Sequence, residues 1–269
     1  MPSSTTLDPT LLPRTPLHPF GLAVELTEET RLTDLPPTTL ARWTEEARVL
    51  VLRGAPPVAT DDLVAYCERW GELLRWDFGA VLDLRLHDEP KNYLFTANDV
   101  PFHWDGAFTP ETPGYFLFQC LEAAPHAGGE TVFSDTTKVY RDAPPDLRSE
   151  WAGTTVTYAT EKVAHYGGKV TEPLVAVHPR SGTPTIRFAE PLPPEQYLNP
   201  LGVHVEGVSA DRGKALLEDL SERLHRPEYC YAHDWRAGDI VVADNHALVH
   251  GRNRFTGPAT RHLQRIQVI

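Results

Sequence analysis

Three residues of this chain have the types needed to share one metal ion. His103 and Asp105 stand two apart around Trp104, and His250 lies near the far end of the sequence. Side chains alternate along an extended strand, so residues i and i+2 point the same way. His103 and Asp105 can therefore grip one ion while Trp104 points away. The third ligand has to come from a remote segment that folds back. Two imidazoles and one carboxylate on one face of an octahedral ion leave three positions open, an arrangement that suits non-heme Fe(II). His-X-Asp alone is a weak pattern that arises by chance. A lone histidine more often serves structure than metal.

The elements that must position these residues can be read from periodicity. Residues 21–26 read as a first strand. Pro36 and Pro37 open a helix through about Ala47, with Leu40, Trp43 and Ala47 on one face. Residues 49–52 form a short buried strand, and Thr60-Asp61-Asp62 caps a second helix carrying Leu63, Tyr66, Cys67 and Trp70. Short strand-like runs follow at 93–96, 115–121, 130–134, 154–158, 175–178 and 185–188, punctuated by Gly and Pro. A helix returns at 209–224 with Leu216, Leu217, Leu220 and Leu224 as its apolar stripe, and strands at 239–243 and 262–268 close the pattern. Many short strands with a few helices outside predict a mainly β, α+β fold built on a β-sandwich or jelly roll. The polar segment 160–175, with Gly167-Gly168, reads as a long loop and is a candidate lid. Residues 1–20, rich in Pro, Ser and Thr, read as a flexible tail without a secretion signal, leaving 21–269 as one domain.

Composition narrows the function classes. Lys and Arg number 25 against 37 Asp and Glu, a net charge of −12, and no basic stripe interrupts that field. Nucleic acid is excluded as a partner over most of such a surface. No apolar run reaches the roughly 18 residues of a membrane span. Cys67, Cys120 and Cys230 are odd in number and widely spaced, as in reduced structural thiols of a cytoplasmic protein. The expected partner is a small molecule, and a homo-oligomer stays open.

The remaining motifs stand in a recognisable order. They are His103-Trp104-Asp105, Gly128-Gly129-Glu130-Thr131, Val177-His178-Pro179 with Ser181-Gly182, Asp244-Asn245, His250-Gly251-Arg252, Arg261 and Arg265. Each alone is weak. As an ordered set, from about Ala55 to the C-terminus, they resemble the Fe(II)- and 2-oxoglutarate-dependent dioxygenases of the TauD/TfdA type. The resemblance implies a double-stranded β-helix (jelly-roll) core, with Fe(II) as cofactor and 2-oxoglutarate and O2 as cosubstrates. By it, His103, Asp105 and His250 are the catalytic iron ligands. Arg261 and Thr131 hold the distal carboxylate of 2-oxoglutarate. Arg265 serves the substrate's anionic group or the cosubstrate. A guanidinium suits a carboxylate because two parallel charge-assisted bonds fix its orientation.

The implied reaction removes hydrogen from an unactivated C–H of a small, carboxylate-bearing, amino-acid-derived substrate of specialised metabolism. Succinate and CO2 are released, with hydroxylation, desaturation or cyclisation as outcomes. Halogenating relatives lack the carboxylate ligand, so Asp105 argues against halogenation. Asp99, preceded by Asn98, stands four residues before His103, where taurine-specific members carry Asn. That departure argues against taurine. The run 92–108 resembles the PvcB-like subgroup, which desaturates isonitrile derivatives of tyrosine, and Tyr93, Phe95, Asn98, Asp99 and Phe108 join Arg265 as candidate substrate contacts. Ordinary core packing is the alternative for the aromatics. A metal-dependent hydrolase and a non-catalytic jelly-roll binding protein are the competing readings.

Four histidine and arginine features are expected to stay outside the site. His246 and His250, at i and i+4, would share a helical face as in some zinc sites. Residues 239–243 read as strand, however, so His246 is expected not to ligate. His233-Asp234 reads as a satisfied surface pair, His178 as structural, and Arg252 and Arg254 as structural or, by default, surface ion-pair residues.

Overall fold

The computed structural model describes residues 8–27, 29–124, 127–163, 166–257 and 260–269. The N-terminal part runs β1 (Arg14–Pro16), β2 (Leu22–Glu25), α1 (Pro37–Ala47), β3 (Val49–Arg53), α2 (Thr60–Glu68) and β4 (Leu82–Leu84). The middle part is β5 (Val100–His103), β6 (Tyr115–Glu122), β7 (Thr131–Asp135), α3 (Thr136–Asp142), α4 (Pro145–Ala152), β8 (Thr155–Val163), β9 (Tyr166–Pro173), β10 (Val175–Val177), β11 (Pro184–Ile186) and β12 (Gly202–Val205). The chain closes with α5 (Ala210–Leu224), β13 (Cys230–His233), β14 (Ile240–Asp244), β15 (Leu248–Arg252) and β16 (His262–Val268). The fold is mainly β with helices outside, as the sequence predicts.

Two sheets matter most for the site. One has seven strands in the order β1-β2-β3-β14-β6-β16-β4, and the other has four in the order β13-β7-β15-β5. Their inner faces meet in one apolar layer containing Phe116, Phe118, Phe133, Tyr231, Val241 and Leu248. The opposite face of the large sheet is buried too, against α1 and α2. There Leu117, Ile240 and Val242 pack with Leu40, Trp43, Leu63 and Tyr66. Alternate residues of β6 and β14 thus enter two different cores. That is why these strands read as continuous apolar runs with no polar side. A third core buries the stripe of α5 (Leu216, Leu217, Leu220, Leu224) with Trp151, Tyr158 and Phe188.

Local chemistry explains several departures from the sequence reading. Residues 93–96 are not a strand: Tyr93–Phe95 form a 3₁₀ turn, capped by the Asn92 side chain accepting from Leu94 N at 2.9 Å. Thr60 does not cap α2; Ala59 occupies the N-cap position, without a side-chain bond. A missing cap costs about 1 kcal/mol. Burying Leu63, Tyr66 and Cys67 contributes more, at roughly 1.5–3 kcal/mol for each large apolar side chain. The 160–175 segment is no irregular loop. It is most of the β8–β9 hairpin, with Thr157 paired to Thr171 and Val163 to Tyr166. Residues 164–165 of it lie outside the described residues, as do 1–7 of the expected tail. The rest of that tail includes β1, whose Arg14 pairs with Val24 of β2. No helix among the described residues is long and apolar enough to cross a membrane.

Candidate metal centre and dicarboxylate pocket

Strand register builds the centre. β5 and β15 are antiparallel neighbours, and His103 pairs directly with His250. Directly opposed residues hold their side chains close on one face, and here the two imidazole centroids lie 4.3 Å apart. Asp105 follows two residues after His103 and turns to the same side, with Oδ1 3.9 Å from His103 Nε2. One ligand atom from each of His103, Asp105 and His250 lies within 4.8 Å of the others. Trp104 faces away and packs edge-on against Tyr158 in the third core.

The protonation states suit a cation. His103 Nδ1 lies 2.9 Å from the Pro101 carbonyl. Donation there fixes the tautomer and leaves the Nε2 lone pair for the centre. Burial drives the pKa of His103 down, and burial with the neighbouring His103 drives that of His250 down to about 3. Both rings are therefore neutral at physiological pH, the state in which an imidazole can ligate a cation. Burial would raise the pKa of Asp105, but Arg265, His250 and His103 together hold it below the usual carboxylate value. His250 Nδ1 is buried with no hydrogen-bond partner. Two neutral imidazoles and one ionised carboxylate within reach of one another form a donor set that fits a ferrous ion.

Two arginines flank the centre, Arg265 on β16 and Arg261 just before that strand begins. Positions 263, 265 and 267 share one face of that strand, and the register shifts between His262 and Leu263, next to Arg261. Arg265 donates from Nη1 to both oxygens of Asp105 at 3.1 Å. Arg261 donates to the Gly129 carbonyl, and burial, then Arg252, pushes its pKa down to about 9. Thr131 Oγ1 accepts from Trp235 Nε1 at 3.0 Å. His103, His250, Thr131, Arg261 and Arg265 line one common cavity. The glycine pair ahead of Thr131 is forced by packing. Gly128 and Gly129 have φ of 74° and 77°, and a Cβ on Gly129 would sit 2.2 Å from the Phe255 ring.

The candidate substrate residues divide. Tyr93 is half-buried and close enough to feel the charges of Asp105 and Arg265, and Phe108 contacts Tyr166 of the hairpin edge-on at 5.2 Å. Phe95 instead stacks on His87 at 4.5 Å. Asp99 accepts from the Tyr197 hydroxyl at 2.8 Å, and Asn98 offers its carbonyl to Arg252. Arg252 is not a surface ion-pair residue. It donates to the carbonyls of Leu94, Thr96 and Asn98, and so fixes the 94–98 turn. His233 is no surface pair either: it is fully buried, 3.0 Å from Asp239 and not paired with Asp234. His178 is structural, 2.8 Å from Asp244.

Sequence reasoning missed Tyr166, Trp76 and Gln267. Tyr166 sits beside Trp76 and close enough to Asp105 and Arg265 to feel their charges. Trp76 Nε1 donates to Gln267 Oε1 at 3.2 Å. Gln267 lies two residues beyond Arg265, so the alternation that places Arg265 was a signal for it as well.

His246 stands apart from the centre, with Nδ1 3.2 Å from Arg187 Nη2. Burial, then Arg187, lowers its pKa from 6.5 to about 4. A histidine whose folded pKa is depressed stabilises the fold only while neutral. Its contribution is complete above pH 6.5 and is lost as pH falls towards about 4. His246→Asn is therefore expected to flatten the fall of melting temperature across that window, leaving the value at pH 8 little changed. An unaltered slope would refute the assignment.

Known proteins resemble this chain over nearly all of its length. Residues 13–267 match the family model described as taurine catabolism dioxygenase TauD, TfdA family. The chain is 47% identical over 94% of its length to a 3-((Z)-2-isocyanoethenyl)-1H-indole synthase of Fischerella ambigua, covering 94% of that protein. It is 37% identical over 93% of its length to a tyrosine isonitrile desaturase of Erwinia amylovora, covering 87% of that protein. PvcB of Pseudomonas aeruginosa superposes with a TM-score of 0.79 at 32% identity, over 96% of this chain and 91% of that one. A further PvcB structure, described as an Fe, alpha-ketoglutarate dependent oxygenase from an isonitrile synthetic pathway, gives 0.78 at 31% identity, with the same coverage of both chains.

Proposed function

The chain belongs to the TauD, TfdA family, and we propose that it desaturates an isonitrile carried on an aromatic amino-acid skeleton, with an indole ring as the first candidate. It is an iron- and 2-oxoglutarate-dependent oxygenase. The hydrolase and binding-protein alternatives are set aside with that membership. When bound, iron, 2-oxoglutarate and O2 supply the oxidising power that removes hydrogen from an unactivated C–H.

In this reading the two facing sheets are the walls of a double-stranded β-helix within one domain, and His103, Asp105 and His250 hold the ion. Arg261 and Thr131 orient the distal carboxylate of 2-oxoglutarate. Arg265 is the substrate's anchor. Asp105, once shared with a bound cation, would hold Arg265 less strongly and leave the guanidinium free for an incoming anion. Tyr93, Phe108 and Tyr166 form the aromatic wall. The β8–β9 hairpin, which carries Tyr166, acts as the lid that excludes water.

The observation that carries the reading is the pairing of Arg265 with Asp105 inside the triad, because it puts a carboxylate-binding group directly beside the oxidising centre. The activities named for the Fischerella and Erwinia relatives supply the isonitrile and the double bond. Each desaturation takes two hydrogens from the substrate, converts 2-oxoglutarate to succinate and CO2, and reduces the second oxygen atom to water. The test offers isonitriles of tryptophan and tyrosine together with free taurine. Succinate release should rise with an isonitrile and not with taurine, and the product mass should fall by two hydrogens, or by those and one CO2. A gain of one oxygen would replace desaturation by hydroxylation.

A further inference from the structure

Asp105 lies beyond the end of β5, where no ladder holds its backbone, yet a metal ligand must be placed within about 0.5 Å. Its main chain is held by one side chain. Asn245 Oδ1 accepts from Asp105 N at 2.9 Å, and Asn245 Nδ2 donates to Asp105 O at 2.9 Å. The amide pairs with both polar groups of one residue, as a neighbouring strand would. The second proton of Nδ2 goes to Pro113 O at 2.8 Å. Asn245 is 2% exposed, so water cannot replace these bonds.

Asn245 is itself anchored. It sits in the corner between β14 and β15, five residues before His250. Its N–H donates to Gly114 O at 3.1 Å. The preceding Asp244 carboxylate is tied to His178, Arg180 and the His246 N–H. The corner that leads into one histidine ligand thus also holds the backbone of the carboxylate ligand.

We propose that Asn245 is the positioning residue of the metal centre, locking Asp105 to the segment that carries His250; the inference rests on the assignment of His103, Asp105 and His250 as iron ligands. No other residue meets the need. Aspartate lacks both donors, glutamine is one methylene too long for the packed corner, and alanine strands two buried carbonyls and an N–H. Without the clamp Asp105 follows Arg265, to which it is bonded through both oxygens, and leaves the imidazoles.

The experiment titrates Fe(II) anaerobically into wild type, His103→Ala, Asn245→Ala, Asn245→Ser and, as a stability control, Leu40→Ala in the core beneath α1. Melting temperature is measured alongside. Groups behind metal ligands are typically worth roughly 10- to 100-fold in metal affinity. Asn245→Ala is expected to lose that much and Asn245→Ser nearly as much. Leu40→Ala should melt earlier with its iron affinity intact. Wild-type affinity in both folded Asn245 variants overturns the inference, and so does an equal loss in Leu40→Ala. Undiminished iron binding by His103→Ala would instead overturn the ligand assignment beneath it.

Discussion

His103→Ala and Asp105→Ala are each expected to weaken Fe(II) binding by more than about 100-fold, since even groups behind a ligand are worth roughly 10- to 100-fold. Substrate-stimulated succinate release should vanish with the iron. The two variants should differ in stability, and that difference carries information. His103 is a neutral ring with one backbone hydrogen bond, so its loss leaves a small polar cavity. Asp105 is the buried counter-ion of Arg265. Removing one member of a buried pair strands the other charge, at about 3–5 kcal/mol. Asp105→Ala should therefore melt well below His103→Ala, and Asp105→Asn should fall between them. Far-ultraviolet circular dichroism with anaerobic iron titration separates the outcomes. Global unfolding of both alanine variants would make the cluster structural. Full iron retention in either would remove that residue from the ligand set.

What could be read from the chain beforehand follows the range of the interactions involved. The i, i+2 spacing of His103 and Asp105 is a local property of an extended strand, so the sequence carries it directly. The buried strands of the large sheet were legible because both of their faces are apolar. The stripe of α5 was legible from its helical period. The 93–96 turn misled because Tyr, Leu and Phe favour strands in composition, while the deciding interactions are the Asn92 cap and the distant Arg252. Arg252 itself could not be placed, since all three of its carbonyl partners lie more than 150 residues away. The β8–β9 segment read as a loop because most of its residues are polar, and its glycines take φ of 90° and 97° inside a paired hairpin. His233 looked like a partner of the adjacent Asp234, yet its true partner, Asp239, comes from across a turn. Pairing across folded distance left no trace in spacing.

Arg261→Ala is expected to weaken 2-oxoglutarate binding by roughly 100-fold or more and to leave Fe(II) binding nearly unchanged. One hydrogen bond to a charged group is worth about 1.5–3 kcal/mol, and a bidentate guanidinium–carboxylate pair makes two. At about 1.4 kcal/mol per tenfold, the pair exceeds two orders of magnitude. Arg261→Lys should recover only part of this, because an ammonium is a point charge without the fork. Thr131→Val should lose less, since a single neutral hydroxyl contributes about 1 kcal/mol. Stability distinguishes a cosubstrate socket from a structural arginine. Arg261 is buried, its guanidinium donates to the neutral Gly129 carbonyl, and burial depresses its pKa to about 9. A buried cation facing a neutral partner strains the fold until an anion arrives. The alanine variant should therefore melt no lower than wild type when 2-oxoglutarate is absent, and should gain little when it is added. Wild type should rise with 2-oxoglutarate by mass action. Equal losses of iron and 2-oxoglutarate affinity, or a large drop in melting temperature without cosubstrate, would give Arg261 a structural role instead.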